Sequence, residues 1–416
     1  MKIFIGISSF QVMAVFRRGL FYSYLTIYLR HFLGLSVTAT TLFATLPMIV
    51  NVIAQRYIWG VLSDRLQKRR SLIIWGELLG GAGTILLFYA HRGPDELTTA
   101  GWVIILGMSL IELFWSMSNI GWSALISDIY KQGNRSRIMG LLESMGGLGR
   151  MGGILLGGFL YDRMGTSYEG WGFYEGSLFW YSGLIMFFSI LPMYLVPEGG
   201  RSSSPDHQPP PSGKTLPVSR IFFVFICAMT LIHFGRNAVA VTLPQYLTLD
   251  TGLNMSAMTL AHVTNLRSLG LVLTGLMAGP LCRRIGDRKT LTLASTAASL
   301  ALFIIGATGD ITWICISSFL MGVSEVLIIA SSYELASAYI PPETRGKHFA
   351  LFNATFFLSW GIGATFIAGP ITDGLLAMGK TESYAYMASF NACGLVTLTG
   401  IIALLILYTL EKKEAA

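Results

Sequence analysis

Apolar residues in this chain do not alternate with polar ones or recur every third or fourth position; they form long, nearly unbroken runs. Runs of roughly 20 residues, enough for a helix to cross a bilayer, fall at 3–29, 39–62, 72–90, 101–126, 138–160 and 177–196, and again at 221–247, 256–281, 291–307, 311–339, 349–375 and 384–410. The pattern predicts an all-α membrane protein of twelve spans. One longer polar interval, 198–217, holds Ser202-Ser203-Ser204 and Pro209-Pro210-Pro211 and has no apolar period. It reads as a proline-rich linker, dividing a six-helix bundle over 1–197 from a second over 218–416.

The two halves repeat one another. An offset of 218 residues carries Arg18 to Arg236, Tyr28 to Tyr246 and Gly34-Leu35 to Gly252-Leu253. One further residue, placed at Asn254, raises the offset to 219 and carries Gly60 to Gly279. Parallel repeats of six spans predict a pseudo-two-fold axis along the membrane normal, with a solute path near mid-bilayer.

Composition agrees: 53% of residues are hydrophobic and only 12% charged, with a mean hydropathy of +0.60, outside the range of soluble domains. The net charge of +7 suggests nucleic acid only if the basic residues share an exposed face, and here they punctuate the apolar runs. With the N-terminus cytoplasmic, 19 Lys and Arg fall in or beside inner loops, against Arg30, Arg92, Arg163 and Lys380 outside. That bias predicts both termini and the linker in the cytoplasm, and a protein of the inner membrane. The first run is followed by Arg17-Arg18-Gly19 rather than a small-residue cleavage site, so it reads as a retained span. The four cysteines show no CxxC spacing, and neither disulfide nor metal site is expected.

The loop after the second run reads Gly60-Val-Leu-Ser-Asp64-Arg65-Leu-Gln67-Lys68-Arg69-Arg70 and is echoed by Gly279, Arg283, Arg284, Gly286, Arg288 and Lys289. Gly60 permits close helix approach, and Asp64 can cap a helix N-terminus or pair with a loop arginine such as Arg135. In form, G-x-x-x-D-R-x-G-K/R-K/R, the loop resembles the signature of the major facilitator superfamily of secondary transporters, with Gln67 in place of the second Gly and Arg283 where the second copy would carry Asp. The resemblance implies twelve helices in two bundles, no cofactor, and a conformational latch at Gly60, Asp64, Arg65, Arg69 and Arg135. A narrower likeness lies in the fifth run, where Gly140, Gly149, Gly153, Gly157 and Gly158 keep the glycine spacing of drug:proton antiporters of that superfamily, with Ile154 in place of Pro. Helix packing alone selects the same glycines.

A charge at mid-bilayer costs at least ~2.5–3.5 kcal/mol, so ionisable residues inside spans are functional candidates. This chain places Arg17, Arg18, Arg150, Arg236 and Arg267 there, with Glu112, Glu143, Glu325 and Glu334. The family fold would put all nine on cavity-bordering helices; Glu77, on the third, reads as a structural partner. Arg18 and Arg236 are repeat mates and are expected to clamp an anion between two guanidinium groups, an arrangement similar to that of organophosphate:phosphate antiporters. Arg17, Arg150 and Arg267 are further substrate-binding candidates, unless Arg150 pairs with Glu143 and Arg267 with Glu325 or Glu334. Glu325, Glu112 and Glu143 are candidates for proton coupling. Tyr22, Tyr24, Trp115, Trp122, Tyr333 and Trp360 are candidates for a pocket lining, which core packing explains equally well.

The reading is a monomeric, proton-coupled transporter of a small solute, preferably an organic or inorganic anion. A drug or amphipathic-cation:proton antiporter working in efflux is the alternative, and a non-transporting sensor or assembly factor of the same fold comes after it. With no HExxH or GxSxG, enzyme activity is not expected.

Overall fold

The computed structural model describes residues 2–130, 132–162, 170–200, 220–340 and 345–414. Within helices, a few side chains, including those of Asp64 and Arg135, lie outside the described residues, as does most of the expected linker. The described secondary structure is helical, as lipid requires of a spanning chain that must satisfy its own backbone hydrogen bonds.

The first half holds α1 (Lys2–Ile27, ending in a π-turn at Tyr28–Phe32), α2 (Val37–Ala54, continued by a π-turn at Gln55–Trp59 and by Gly60–Leu66), α3 (Arg69–His91), α4 (Leu97–Ile129), α5 (Gln132–Tyr161) and α6 (Ser177–Met193). The second holds α7 (Arg220–Leu247), α8 (Ala257–Ile285), α9 (Asp287–Ala307), α10 (Ile311–Tyr339), α11 (from Arg345–Phe357 to Gly369–Ala377) and α12 (Glu382–Glu414). Eight described helices are long and apolar enough to cross a membrane, and α11 is a ninth if its two parts, bent by 46° after Phe357, count as one span. The remaining three, α5, α6 and α8, are more polar or shorter, and the whole set is consistent with the twelve predicted. Large apolar side chains such as Leu86, Leu106, Leu110, Leu276 and Phe366 are exposed along these helices. In water that would be a liability; in lipid it is the outer surface of an integral membrane protein.

The chain divides into two compact units, one of Met1–Leu35, Leu42–Pro209 and Ser256–Ala261, the other of Ser36–Thr41, Pro210–Met255 and His262–Ala416. Within the first, α1 packs on α5 and α6, and α3 on α4 and α6; within the second, α7 packs on α11 and α12, and α9 on α10 and α12. Each pairing in one unit is thus the repeat of a pairing in the other. The glycine face of α5 is filled by α1: Gly149 lies against Val12, Gly153 against Phe16 and Gly157 against Leu20 and Tyr24. Asp162 accepts a hydrogen bond from the Ala257 amide (2.7 Å) in the first unit. In the second, Asp373 accepts from the Val37 and Thr38 amides (2.9 and 2.8 Å), satisfying the first turn of α2.

Candidate functional site

In the first unit the intramembrane charges gather around Trp115 of α4. Arg17 and Arg18, midway along α1, bring their guanidinium carbons 4.1 and 4.5 Å from the Trp115 ring centroid, within cation–π range. The two are not equivalent. Arg17 is 3% exposed, and its Nε and Nη2 have no hydrogen-bond acceptor among the described residues. Arg18 is exposed and within electrostatic reach of Arg17, Glu112, Tyr22 and Glu143. Glu112, one helical turn before Trp115, is buried and accepts a short hydrogen bond from Asn51 of α2, whose own oxygen accepts from Gln55 (2.8 Å). Glu77 of α3 is 1% exposed and accepts from the Trp115 indole (3.0 Å) and the Ser118 hydroxyl (2.7 Å). On α5, Glu143 is exposed and Arg150 partly buried.

In the second unit Arg267 of α8 donates through Nε (3.2 Å) and Nη2 (2.8 Å) to one oxygen of Glu325 on α10. Arg236 of α7 brings Nη1 to 4.0 Å from the same oxygen and donates from Nε to His233 Nδ1 (3.3 Å). Arg236 is 4% exposed, so this repeat mate of Arg18 is enclosed in an ion-pair cluster while Arg18 is exposed. Trp360 lies 5.5 Å from the Arg267 guanidinium, and Glu334 is exposed away from the cluster. Of the other aromatic candidates, Tyr24 is fully buried with its hydroxyl on the Ile154 carbonyl (2.7 Å). Trp122 packs on Phe10 (5.1 Å between centroids), Tyr22 stacks on Phe43 (6.3 Å), and Tyr333 is exposed.

At the other candidate site, the loop between α2 and α3, the organiser is Arg69. It is buried, donates from Nη1 to the carbonyl and hydroxyl of Ser63, and meets Asp128 at the end of α4 (Nε–Oδ2 3.4 Å). Asp128 also accepts from the Gly200 amide (2.9 Å). Glu198 accepts from the Ser71 amide (2.9 Å) and pairs with Arg70 (3.2 Å), capping the start of α3. A Cβ on Gly60 would lie 2.5 Å from the Gln55 carbonyl, so the tight π-turn needs a glycine there. Arg65 is exposed, and the expected Asp64–Arg135 contact lies outside the described side chains. Sequence reasoning missed Asp128 and Glu198; the one available signal was an acid directly following a span in each case. In the repeat, Arg288 stands 219 residues after Arg69 and pairs with Glu411 (3.0 Å) of α12. Among the described residues no group of three or more His, Cys, Asp or Glu is placed to hold a metal.

Repeated bundles of helices with exposed apolar faces and charged clusters define a multi-pass membrane protein. The chain belongs to the Major Facilitator Superfamily, whose sequence profile matches residues 7–232 and again 225–416. The mouse MFS-type transporter SLC18B1 is 24% identical over 369 residues, covering 83% of this chain and 73% of the relative. The nucleoside transporter NupG shares the fold with a TM-score of 0.75 at 12% identity, covering 98% of this chain and 99% of that one. The peptide transporter POT in complex with sulfate does so at 0.68 and 15% identity, covering 99% and 94%. A bacterial homolog of the human lysosomal transporter Spinster, inward-facing and unoccupied, gives 0.66 at 13% identity, covering 97% and 94%. At these identities the solved structures bear on the fold alone.

Proposed function

We propose that this member of the superfamily carries a small organic or inorganic anion across the cytoplasmic membrane by alternating access, driven by protons, with both termini cytoplasmic. The observation that carries the anion reading is Arg18: an exposed guanidinium beside Trp115, midway along a spanning helix, with no ion pair among the described residues. An intramembrane cation in that position calls for an anionic partner, and a carboxylate, sulfate or phosphate offers the planar or tripod acceptors a guanidinium fits. Arg17 adds open donors beside it, and Arg150 is a further candidate on α5.

Proton coupling falls to Glu325. Arg236 and Arg267 share this one carboxylate, so a solute anion that takes either guanidinium competes with it. A proton that neutralises Glu325 releases both arginines. Anion capture and proton uptake are thereby linked. Glu112, held by Asn51, and Glu143, exposed, are the secondary candidates. The loop Gly60, Asp64, Arg65, Arg69 and Arg135 serves as the latch, with Arg69 joining the ends of α2 and α4.

Purified protein in liposomes should take up or exchange phosphorylated or carboxylated compounds in response to an imposed proton gradient. Arg18→Ala should abolish this, and Glu325→Gln should uncouple it from the gradient. Undiminished anion transport by Arg18→Ala would reject the reading.

A further inference from the structure

Glu77 sits on α3, outside the set of helices that the family fold assigns to the solute path, and yet it is tied to the arginine pair. Its carboxylate is 1% exposed, and its two hydrogen bonds come from neutral donors, the Trp115 indole (3.0 Å) and the Ser118 hydroxyl (2.7 Å). Close packing makes this possible: a Cβ on Gly76 would lie 2.6 Å from the Ser118 amide nitrogen, so α3 and α4 meet here only because residue 76 is glycine. An indole N–H lies in the ring plane, so fixing its direction restricts the ring to rotation about that bond. The ring is thus held where both guanidinium groups meet it, at 4.1 and 4.5 Å.

We propose that Glu77 is a positioning residue for solute binding: by holding the Trp115 indole it sets Arg18 and the two unpartnered nitrogens of Arg17 for an incoming oxyanion. This rests on the anion reading of the same site. The carboxylate supplies counter-charge within electrostatic reach of both arginines, while one of its oxygens, Oε1, accepts from both Trp115 and Ser118. Two of the Arg17 nitrogens, Nε and Nη2, have no acceptor among the described residues. Buried donors are costly to leave without an acceptor, which favours capture of an oxyanion. A residue serving only to fill the α3–α4 contact would need no hydrogen bond to Trp115.

The test uses the arginine reagent phenylglyoxal on the full-length protein in detergent, timing adducts at Arg17 and Arg18 by peptide mass spectrometry; no substrate is needed. Glu77→Ala and Trp115→Phe each remove the indole–carboxylate bond and should raise the adduct rate at one or both arginines about threefold or more. The double variant should exceed neither single variant, because both break one link. Glu77→Gln keeps an oxygen that accepts both bonds and should stay near the wild-type rate. Unchanged rates in a Trp115→Phe protein of wild-type Tm would overturn the proposal, as would independent, multiplying effects in the double variant. If Glu77→Ala does not fold, Trp115→Phe against Glu77→Gln carries the same comparison. Inorganic phosphate should slow the adducts in wild type; if the variants behave as expected but phosphate gives no protection, the anion reading fails and the positioning role stands.

Discussion

Arg18 and Arg236 occupy matching positions in the repeat and keep different company. Arg18 is exposed beside Trp115; Arg236 is enclosed with Glu325, Arg267 and His233. One carboxylate serves two guanidinium groups in the second unit, so Glu325→Gln should leave both uncompensated. We expect a loss of about 3 kcal/mol, read as a lower Tm in detergent, alongside uncoupled transport. A titratable group outside the spans gives a smaller, pH-dependent effect. Asp310 caps α10, accepting from the Thr312 amide at 2.7 Å, and these backbone donors hold its carboxyl below the usual carboxylate range. The sign follows from the depressed value: the cap contributes fully above the ordinary carboxylate pKa of about 3.9 and is lost as pH falls through the lowered one. Asp310→Ala should therefore lower Tm slightly at pH 7, and the difference from wild type should shrink on acidification below pH 4. The identities of the charged residues inside spans were plain from the sequence, because charge is rare there. Which were paired was not, since Arg267 and Glu325 are 58 residues apart in sequence and meet only by the packing of α8 on α10.

At the scale of elements, the helix lengths followed from bilayer thickness and the runs of apolar residues, but their irregularities did not. The π-turns in α1 and α2 and the 46° bend in α11 carry no proline at the break, and hydropathy is blind to a single extra residue per turn; only the π-turn in α11, just before Pro370, had a signal in the sequence. The loop signature is more telling. Its second glycine position is Gln67 here, at φ 54°, and Gly286 in the repeat, at φ 90°. Both copies keep a left-handed backbone at the turn, the region that favours glycine. The motif thus marks a conformation, which Gln67 adopts at some strain. Nothing lies within 4 Å of a Cβ built on Gly286, so Gly286→Ala isolates that strain: a loss on the order of 1–3 kcal/mol is expected in thermal melts. A neutral result would show that the turn relaxes.

For the whole molecule, the repeated pairing of helices within each unit is what the 218-residue offset implied. The orientation of the chain is a property of its loops. A cysteine introduced by Ser203→Cys into a variant lacking the four native cysteines should react with a membrane-impermeant maleimide only after cells are opened; labelling of intact cells would invert the topology. The sequence by itself determined the class of protein, the duplication and the list of expensive charges, because each is written in local composition or in a fixed offset. Tertiary structure alone decided that Arg18 is exposed while Arg236 is enclosed, that Arg69 holds Asp128, and that Glu77 reaches the arginines through Trp115. Those outcomes depend on which faces of helices distant in sequence are pressed together, and apolar runs long enough to cross a membrane carry almost no periodicity from which a face could be read.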